Sequence, residues 1–230
     1  MRCAAILVAA GSGVRMGAGL PKALMPLGGR PLLAWAADVL MNSPAVEMLV
    51  VVGPPGHEAE VFAALGDGDA EVAVVPGGES RSHSVALGLE AVPPGVEYVL
   101  VHDAARPLIA PALIPAVLEG IADADGAIAA APLADTPKRV DAEREITETP
   151  GREGLWLAQT PQAFRAEVLR EAVMHAAELG RLHDATDCAS LVEGVGGRVR
   201  VVPNAAPNMK VTTPSDVRIA ELLLGERDAG

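Results

Sequence analysis

Five short apolar runs alternate with helical segments along the first 131 residues. The runs occupy Cys3 to Ala9, Met48 to Val52, Glu71 to Val75, Tyr98 to His102 and Ala127 to Ala131. The first run, CAAILVA, is continuously apolar, which is typical of a strand buried on both faces of a parallel sheet. The segments between the runs predict helices at Pro31 to Asn42, Glu58 to Leu65, Ser80 to Leu89 and Ala112 to Ala122. This alternation predicts an α/β fold, a Rossmann-like three-layer domain with a mostly parallel twisted sheet.

The alternation stops after Pro132. Lys138 to Thr149 is charged and alternates roughly at Val140 and Ile146, which fits either a hairpin arm or a solvated loop. Beyond this segment, helices are predicted at Arg165 to Leu179, Asp187 to Gly194 and Pro214 to Leu224, and a last strand at Arg198 to Val202. The expected helix caps are Thr186 or Asp187 for the second of these helices and Thr213 for the third. We therefore predict a single domain over residues 1–230 with a projecting β-arm at 133–154.

Charge and composition exclude several functional classes. The chain has 18 Lys and Arg residues and 30 Asp and Glu residues, so its net charge is -12. A chain with this charge lacks the basic face of a duplex nucleic-acid binder. No apolar run reaches about 18 residues, so no membrane span is expected. The two cysteines, Cys3 and Cys188, provide no disulfide framework or metal cluster. We expect a soluble cytoplasmic protein with no nucleic-acid or membrane partner.

A glycine-rich loop follows the first apolar run. It reads AAGSGVRMG from Ala9 to Gly17, and LPK follows at 20–22. Open α/β sheets bind ligands outside the carboxyl ends of their strands, and glycines let backbone N–H groups approach phosphate oxygens. Arg15 and Lys22 add two positive charges. The loop fits a phosphate site, or an ordinary turn with basic residues on its surface. Met16 breaks the dinucleotide pattern, and no G-K-[ST] follows as a Walker A loop requires.

A second motif, VHDAARP at 101–107, ends the fourth predicted strand. Asp103 at the carboxyl end of a parallel strand, beside a phosphate loop, is well placed to hold Mg²⁺. Arg106 can pair with a phosphate through two parallel hydrogen bonds. The alternative is that Asp103 only caps the turn that follows.

A third motif, PGGESRSHS at 76–84, leaves the third strand and enters a helix. Gly77 and Gly78 permit close backbone approach, and Ser84 lies one turn into the helix. Ser80 or Ser82 is the expected helix cap. The alternative is an ordinary strand-to-helix turn. His83 has no nucleophile near it in sequence, so a surface or packed histidine is expected there.

Three further pieces, DTPKR at 135–139, QTPQ at 159–162 and NMKVT at 208–212, are weak signals alone. Together with the motifs above they resemble the 2-C-methyl-D-erythritol 4-phosphate cytidylyltransferase family. The resemblance covers nearly the whole chain in the family's order and spacing, and includes AAGSGVRM, LPK, PGGESRSHSV, LVHDAARP, DTPKRV, LWLAQTPQAF, ATDCASLVE and NMKVTTPSD. The first motif alone indicates only the wider nucleotidyltransferase superfamily. HDAARP, TPQ and KVT are more restrictive.

The resemblance implies an activity and its cations. The family transfers CMP from CTP to the phosphate of methylerythritol phosphate, releases pyrophosphate and uses Mg²⁺. By resemblance, Arg15 and Lys22 hold the triphosphate and stabilise charge at the α-phosphorus, and Lys210 completes the catalytic set. Phosphoryl transfer depends mainly on positioning and electrostatic stabilisation. The attacking phosphate is already anionic, so the reaction needs several fixed cations and no general base.

The resemblance also implies how CTP is bound. The expected contacts are Ala9, Ala10, Gly11, Gly13, Gly78, Glu79, Ser84, Asp103 and Ala104, with Asp103 also the metal ligand. Cytosine differs from uracil by its N4 amino donor, and a backbone carbonyl of the 77–79 turn is expected to accept from it. The family often has Asp where this chain has Glu79, so the role of that side chain stays open.

The remaining residues implied by the resemblance concern the second substrate. Arg106 is expected to contact a phosphate or the second substrate, and Thr160, Thr186 and Lys210 match positions around methylerythritol phosphate. Thr136 and Arg152 belong to an arm that reaches a partner subunit's active site, which predicts a homodimer with composite sites. The family often has Glu where this chain has Cys188, and we interpret Cys188 as structural.

Three alternatives remain at this stage. A ribitol phosphate cytidylyltransferase of the same superfamily would differ chiefly in its polyol contacts. A nucleotide-binding regulatory module would not require Arg15, Lys22, Asp103 and Lys210 together. A Rossmann oxidoreductase is disfavoured by the broken glycine pattern.

Overall fold

Strands and helices alternate as the apolar runs predict. The structure is a computed structural model that describes residues 2–11 and 20–228. Its strands are β1 (Cys3–Val8), β2 (Pro26–Leu27), β3 (Arg30–Pro31), β4 (Met48–Gly53), β5 (Glu71–Pro76), β6 (Tyr98–Asp103), β7 (Gly126–Pro132), β8 (Arg139–Val140), β9 (Ile146–Glu148), β10 (Trp156–Arg165) and β11 (Val199–Pro203). Its α-helices are α1 (Leu32–Met41), α2 (Glu58–Ala64), α3 (Arg81–Ala91), α4 (Leu113–Ile121), α5 (Ala166–Glu178), α6 (Cys188–Gly194) and α7 (Pro214–Asp228).

The central sheet is mostly parallel, as predicted. Among the described residues it has seven strands in the order β11-β7-β10-β6-β1-β4-β5. β1 pairs in parallel with both β4 and β6, so the strand order reverses at β1. β10 runs antiparallel between β6 and β7. The sequence placed the QTPQ motif in a strand region after the arm, but it did not predict the antiparallel direction of this strand or its insertion between β6 and β7.

Helices cover both faces of the sheet. Ala5 and Leu7 of β1 pack in one core cluster with residues of α1, α2 and α4. Ala4 and Ile6 pack in a second cluster with residues of α3, α5 and α6. Successive side chains of a strand point to opposite faces, so a strand with two cores must be apolar at every position. The continuous run at the start of the chain follows from this arrangement.

The terminal helix α7 packs on a third cluster and holds the segment before it. Ala220 and Leu224 pack with Leu27, Leu32 and Val211. At its start, the Asp216 carboxylate accepts from the N–H groups of Thr212 and Thr213, both at 2.7 Å, and the Thr213 hydroxyl accepts from the Asp216 N–H at 3.3 Å. The predicted Thr213 cap is confirmed, and the helix runs four residues beyond the predicted end. Of the other alternative caps, Ser80 caps α3 and Asp187 caps α6.

The segment between β7 and β10 is a hairpin rather than a loop without regular structure. β8 and β9 pair antiparallel as a separate two-stranded sheet, with Arg139 opposite Glu148 and Val140 opposite Ile146. Both strands are exposed along their length. The predicted β-arm is thus present.

A membrane-spanning segment was not expected from the sequence. None of the described helices is both long enough and apolar enough to cross a membrane.

Gly88 of α3 provides a test of the packing between this helix and the sheet, and Gly194 of α6 provides the control. A Cβ atom at Gly88 would lie 2.7 Å from Cγ2 of Ile6 and 2.9 Å from Cγ2 of Val52. We expect Gly88→Ala to lower the free energy of unfolding by about 1–3 kcal/mol through overpacking, more than the gain in helix propensity of up to about 1 kcal/mol. Gly194→Ala is the matched control, because a Cβ there meets no described atom within 4 Å. Denaturant unfolding of both variants decides the point, and equal stabilities would contradict the close packing.

Candidate active site

A cavity of about 490 Å³ lies at the carboxyl ends of β1, β5 and β6. This is the crevice where open α/β sheets bind ligands, beside the strand at which the order reverses. Ten of the residues predicted from the sequence line it, namely Ala9, Ala10, Gly11, Lys22, Gly78, Glu79, Ser84, Asp103, Ala104 and Lys210. The fold therefore brings four motifs that are distant in sequence to one place. Gly13 and Arg15 lie outside the described residues.

The turn after β5 lies close against the loop after β1. A Cβ atom on Gly77 would overlap the Cβ of Ala10, so a glycine is needed for this approach. The Gly77 N–H donates to the Gly53 carbonyl at 2.8 Å, which continues the pairing of β4 with β5. Ser84 fixes Gly78, the residue after Gly77. The Ser84 hydroxyl donates to the Ser80 carbonyl at 2.9 Å and accepts from the Gly78 N–H at 3.2 Å. The turn thus offers a fixed backbone surface to the cavity.

The Asp103 carboxylate lies between two cations. Arg81 Nε donates to Oδ1 at 2.9 Å and Lys210 Nζ donates to Oδ2 at 2.7 Å. Burial by itself would raise the pKa of Asp103, but the charges of Arg81 and Lys210 outweigh it and hold that pKa well below its usual range. Asp103 is therefore ionised at neutral pH.

The two cations differ in exposure. The Asp103 side chain is 9% exposed, that of Arg81 22% and that of Lys210 42%. Arg81 is the first residue of α3, whose start is capped by the Ser80 hydroxyl. Its Nη1 donates to Cys188 Sγ at 3.6 Å. Arg81 is therefore the fixed partner of Asp103, and Lys210 reaches it from the open side.

Sequence reasoning missed Arg81. The signal was present, because Arg81 opens the helix that directly follows a glycine turn at the carboxyl end of a parallel strand. Cys188 is buried beside it, and burial raises the pKa of the Cys188 thiol. A neutral thiol agrees with the structural interpretation of Cys188.

Two predicted substrate residues lie beside the cavity without lining it. Thr160 is buried, and its hydroxyl accepts from the Asp103 N–H at 3.0 Å. Arg106 Nη1 donates to the Asn208 carbonyl at 2.7 Å. His102 is also buried here, and burial lowers its pKa to about 4, so its imidazole is neutral at pH 7.

The other predicted substrate residues lie elsewhere. Thr136 and Arg152 flank the hairpin and are exposed, and Arg152 Nη1 donates to the Ala134 carbonyl at 2.8 Å. Thr186 is exposed just before α6. None of the three lines the cavity of its own chain. Lys138 bridges the hairpin by donating to the Thr149 hydroxyl at 2.8 Å, which explains this lysine without a catalytic role.

The site suits a divalent cation brought in with phosphates. Among the described residues, no group of three or more His, Cys, Asp or Glu side chains is arranged to hold a metal. Mg²⁺ is commonly bound by one or two carboxylates together with substrate phosphates. Asp103 meets that need, because a carboxylate has about four lone-pair sites and hydrogen bonds to Arg81 and Lys210 use two.

Fold and site together define a class. An α/β sheet with a switch-point cavity, glycine-rich backbone turns and cations around one buried carboxylate is a nucleotide-binding arrangement of the nucleotidyltransferase type. A family model described as 2-C-methyl-D-erythritol 4-phosphate cytidylyltransferase matches residues 3–226. The chain belongs to this family.

Individual relatives are similar to this chain over most of their length. The chain is 45% identical to the 2-C-methyl-D-erythritol 4-phosphate cytidylyltransferase of Streptomyces avermitilis, over 98% of this chain and 93% of that protein. It is 42% identical to the enzyme of that name from Prochlorococcus marinus, over 96% and 98%. Among solved structures, the enzyme of that name from Thermus thermophilus is 34% identical with a TM-score of 0.78, over 98% and 100% of the two chains. The 4-diphosphocytidyl-2C-methyl-D-erythritol synthase of Anaerococcus prevotii is 28% identical with a TM-score of 0.85, over 97% and 96%.

The unequal exposure of the two cations predicts unequal effects on stability. We expect Arg81→Gln to lower the free energy of unfolding by about 1–3 kcal/mol, since it removes a largely buried hydrogen bond to a charged group. Lys210→Gln should cost less than about 1 kcal/mol, because its ion pair is solvent-exposed on one side. Urea unfolding at pH 7 measures both values. A larger loss for Lys210→Gln would contradict the assignment of Arg81 as the fixed partner.

Proposed function

We propose that this protein transfers CMP from CTP to the phosphate of 2-C-methyl-D-erythritol 4-phosphate. The products are 4-diphosphocytidyl-2-C-methyl-D-erythritol and pyrophosphate. The observation that carries the proposal is a cavity lined by Lys22, Arg81 and Lys210, in which Arg81 and Lys210 pair with the Asp103 carboxylate, in a chain that belongs to the family of this name. The ribitol phosphate alternative is not favoured by these relatives.

The cations of the cavity carry the chemistry in this proposal. The reaction brings an anionic phosphate to the α-phosphorus of an anionic triphosphate, so fixed positive charge both gathers the reactants and stabilises the transition state. Lys22 and Lys210 line the cavity and have this role, together with Arg15 of the glycine-rich loop. The substrate phosphate is its own nucleophile, so no general base is required.

In this proposal, backbone groups rather than side chains recognise cytosine. Ala9, Ala10 and Gly11 support the nucleotide on one side, and the turn at Gly78 and Glu79 supports it on the other. The N4 amino group of cytosine needs an acceptor, which a carbonyl of this turn provides. The Glu79 side chain is exposed, so the backbone rather than the carboxylate has the main role. The bonds of the Ser84 hydroxyl hold the turn in place.

In this proposal Asp103 would hold Mg²⁺ together with the phosphates of CTP. When bound, it neutralises charge on the phosphate oxygens. Asp103 keeps its bond to Arg81, while the more exposed Lys210 turns its ammonium toward the incoming phosphates. A flexible ammonium with three donors suits this exchange better than a planar guanidinium does.

In this proposal methylerythritol phosphate binds beside the cavity, where Arg106 and Thr160 lie, and Thr186 contacts it from the segment before α6. In this proposal the site is completed by Thr136 and Arg152 from the arm of a second copy. The support is that both residues lie on the arm, outside the cavity of their own chain. The arm also exposes apolar side chains, with Ile146 62% and Val140 48% exposed. Burial of such side chains stabilises association, so the chain acts as a homodimer.

One experiment tests the proposed function. Purified protein is incubated with CTP, Mg²⁺ and methylerythritol phosphate, and pyrophosphate release is measured. Ribitol phosphate replaces the acceptor in a parallel reaction. Release with methylerythritol phosphate supports the proposal. Release with ribitol phosphate alone would favour that alternative, and CTP binding without any product would favour a regulatory module.

The role of Lys210 predicts a specific loss of turnover. We expect Lys210→Ala to remain folded and to lose on the order of 10²–10³ in kcat, the scale of one electrostatic donor in the transition state. Arg200→Ala is the control, because Arg200 is an exposed cation on the edge strand β11 and pairs with Asp123 far from the cavity. Steady-state pyrophosphate release measures both variants. Near-normal turnover of Lys210→Ala would contradict the assigned role of Lys210 in stabilising the transition state.

The composite site predicts complementation between two inactive variants. Arg152→Ala lacks the arm contact and Lys210→Ala lacks the cavity cation, so each homodimer should be nearly inactive. Co-expressed heterodimers combine one intact cavity with one intact arm. Random assembly then restores about a quarter of wild-type turnover, since half of the dimers have one complete site of two. No recovery in the mixture, or a fully active monomer in sedimentation, would contradict the composite site.

A further inference from the structure

Four residues beside the cavity form a closed circuit of hydrogen bonds. Arg106 Nη1 donates to the Asn208 carbonyl at 2.7 Å, and Asn208 Nδ2 donates to the Thr160 carbonyl at 2.8 Å. Thr160 Oγ1 lies 3.0 Å from His102 Nδ1, and His102 Nε2 lies 3.0 Å from the Arg106 carbonyl. His102, Thr160 and Asn208 are buried. The circuit joins the end of β6, the middle of β10 and the segment before α7.

The partners determine where His102 carries its proton. The Thr160 hydroxyl oxygen accepts from the Asp103 N–H at 3.0 Å, so its own proton is available to His102 Nδ1. The Arg106 carbonyl can only accept, so it needs a proton on Nε2. The partners therefore assign the neutral imidazole with the proton on Nε2 and an acceptor at Nδ1.

The circuit holds both members of the Asp103–Lys210 ion pair. On one side, Thr160 fixes the backbone N–H of Asp103. On the other side, Asn208 is held by Arg106, and the Val211 N–H donates to the Ala105 carbonyl at 2.8 Å. Lys210 lies between these two anchored residues. The circuit therefore sets the distance between the Asp103 and Lys210 backbones, and from this anchored position the Lys210 ammonium reaches Asp103 Oδ2 at 2.7 Å in the structure and the phosphates when CTP is bound.

We propose that His102 is a positioning residue for CMP transfer, which fixes Asp103 and Lys210 relative to each other through Thr160, Arg106 and Asn208. This inference rests on the proposed function, because the aligned groups are those assigned to the metal and the phosphates. His102 is fully buried and does not line the cavity, so it acts without touching substrate.

Histidine suits this place because one ring accepts at one end and donates at the other. An asparagine carbonyl can replace the Nδ1 acceptor, and a glutamine amide can replace the Nε2 donor. Neither replaces both at once, so each variant leaves the circuit open. Misplacement of a reacting group by about 1 Å costs on the order of 10²-fold in rate.

The test compares His102→Asn and His102→Gln with the wild type. We expect kcat per folded molecule to fall on the order of 10²-fold in both. CTP affinity by calorimetry should change little, because the hydrogen bonds that hold the cytosine turn run from Gly77 to Gly53 and from Gly78 to Ser84, and neither involves the circuit. Val99→Ala is the matched control, since it removes buried methyl groups from the same strand without touching the circuit. Near-wild-type kcat per folded molecule in either histidine variant would overturn the proposal, as would a loss equal to that of Val99→Ala.

A spectroscopic measurement on the wild type does not depend on the variants folding. In protein labelled with ¹⁵N at histidine, the His102 ring, assigned from its hydrogen-bonded neighbours, should have a protonated Nε2 and an unprotonated Nδ1 at pH 7. A proton on Nδ1, or on both nitrogens, would overturn the proposal. Wild-type transfer is measured first, and its absence would overturn the proposed function, whereas an active wild type with unaffected His102 variants would overturn the positioning role alone.

Discussion

The ionised carboxylate of Asp103, held between Arg81 and Lys210, is the interaction that organises the site. A buried carboxylate is unfavourable unless cations compensate for the lost hydration. Arg81 from the start of α3 and Lys210 from the segment before α7 provide this compensation at the end of β6. Each cation is in turn drawn into the cavity by the carboxylate. Three segments that are far apart in sequence are thus fixed at one point.

The topology explains how these segments meet. Parallel strands end at the same edge of the sheet, so the loops after β1, β5 and β6 share one crevice. β10 enters from the opposite direction between β6 and β7, and this brings Thr160 beside Asp103. The third core cluster anchors α7 and places Lys210 across the crevice. The two cores on the sheet faces supply the rigidity that a site at strand ends requires.

The parts predicted from the sequence are those with a local signal. Apolar runs identified five parallel strands, and burial on both faces explains the runs of β1, β4, β6 and β7, whereas the edge strand β5 is only partly buried. Motifs at strand ends identified the loops of the cavity, and the lysines Lys22 and Lys210 both line it. The antiparallel insertion of β10 was not predicted, since a strand's direction and neighbours depend on contacts far along the chain. The Arg81–Asp103 pair and the His102 circuit were missed for the same reason. Arg81 and Asp103 are 22 residues apart in sequence, His102 and Thr160 are 58 apart, and Arg106 and Asn208 are 102 apart.

A double-mutant cycle with Arg81→Gln and Asp103→Asn tests the central ion pair most directly. The free energy of unfolding is measured for the wild type, both single variants and the double variant. Residues in direct contact should show a coupling of more than about 1 kcal/mol, so the double variant loses less than the two single losses added together. Additivity within about 0.5 kcal/mol would contradict the account, because Asp103 would then be held by something other than Arg81.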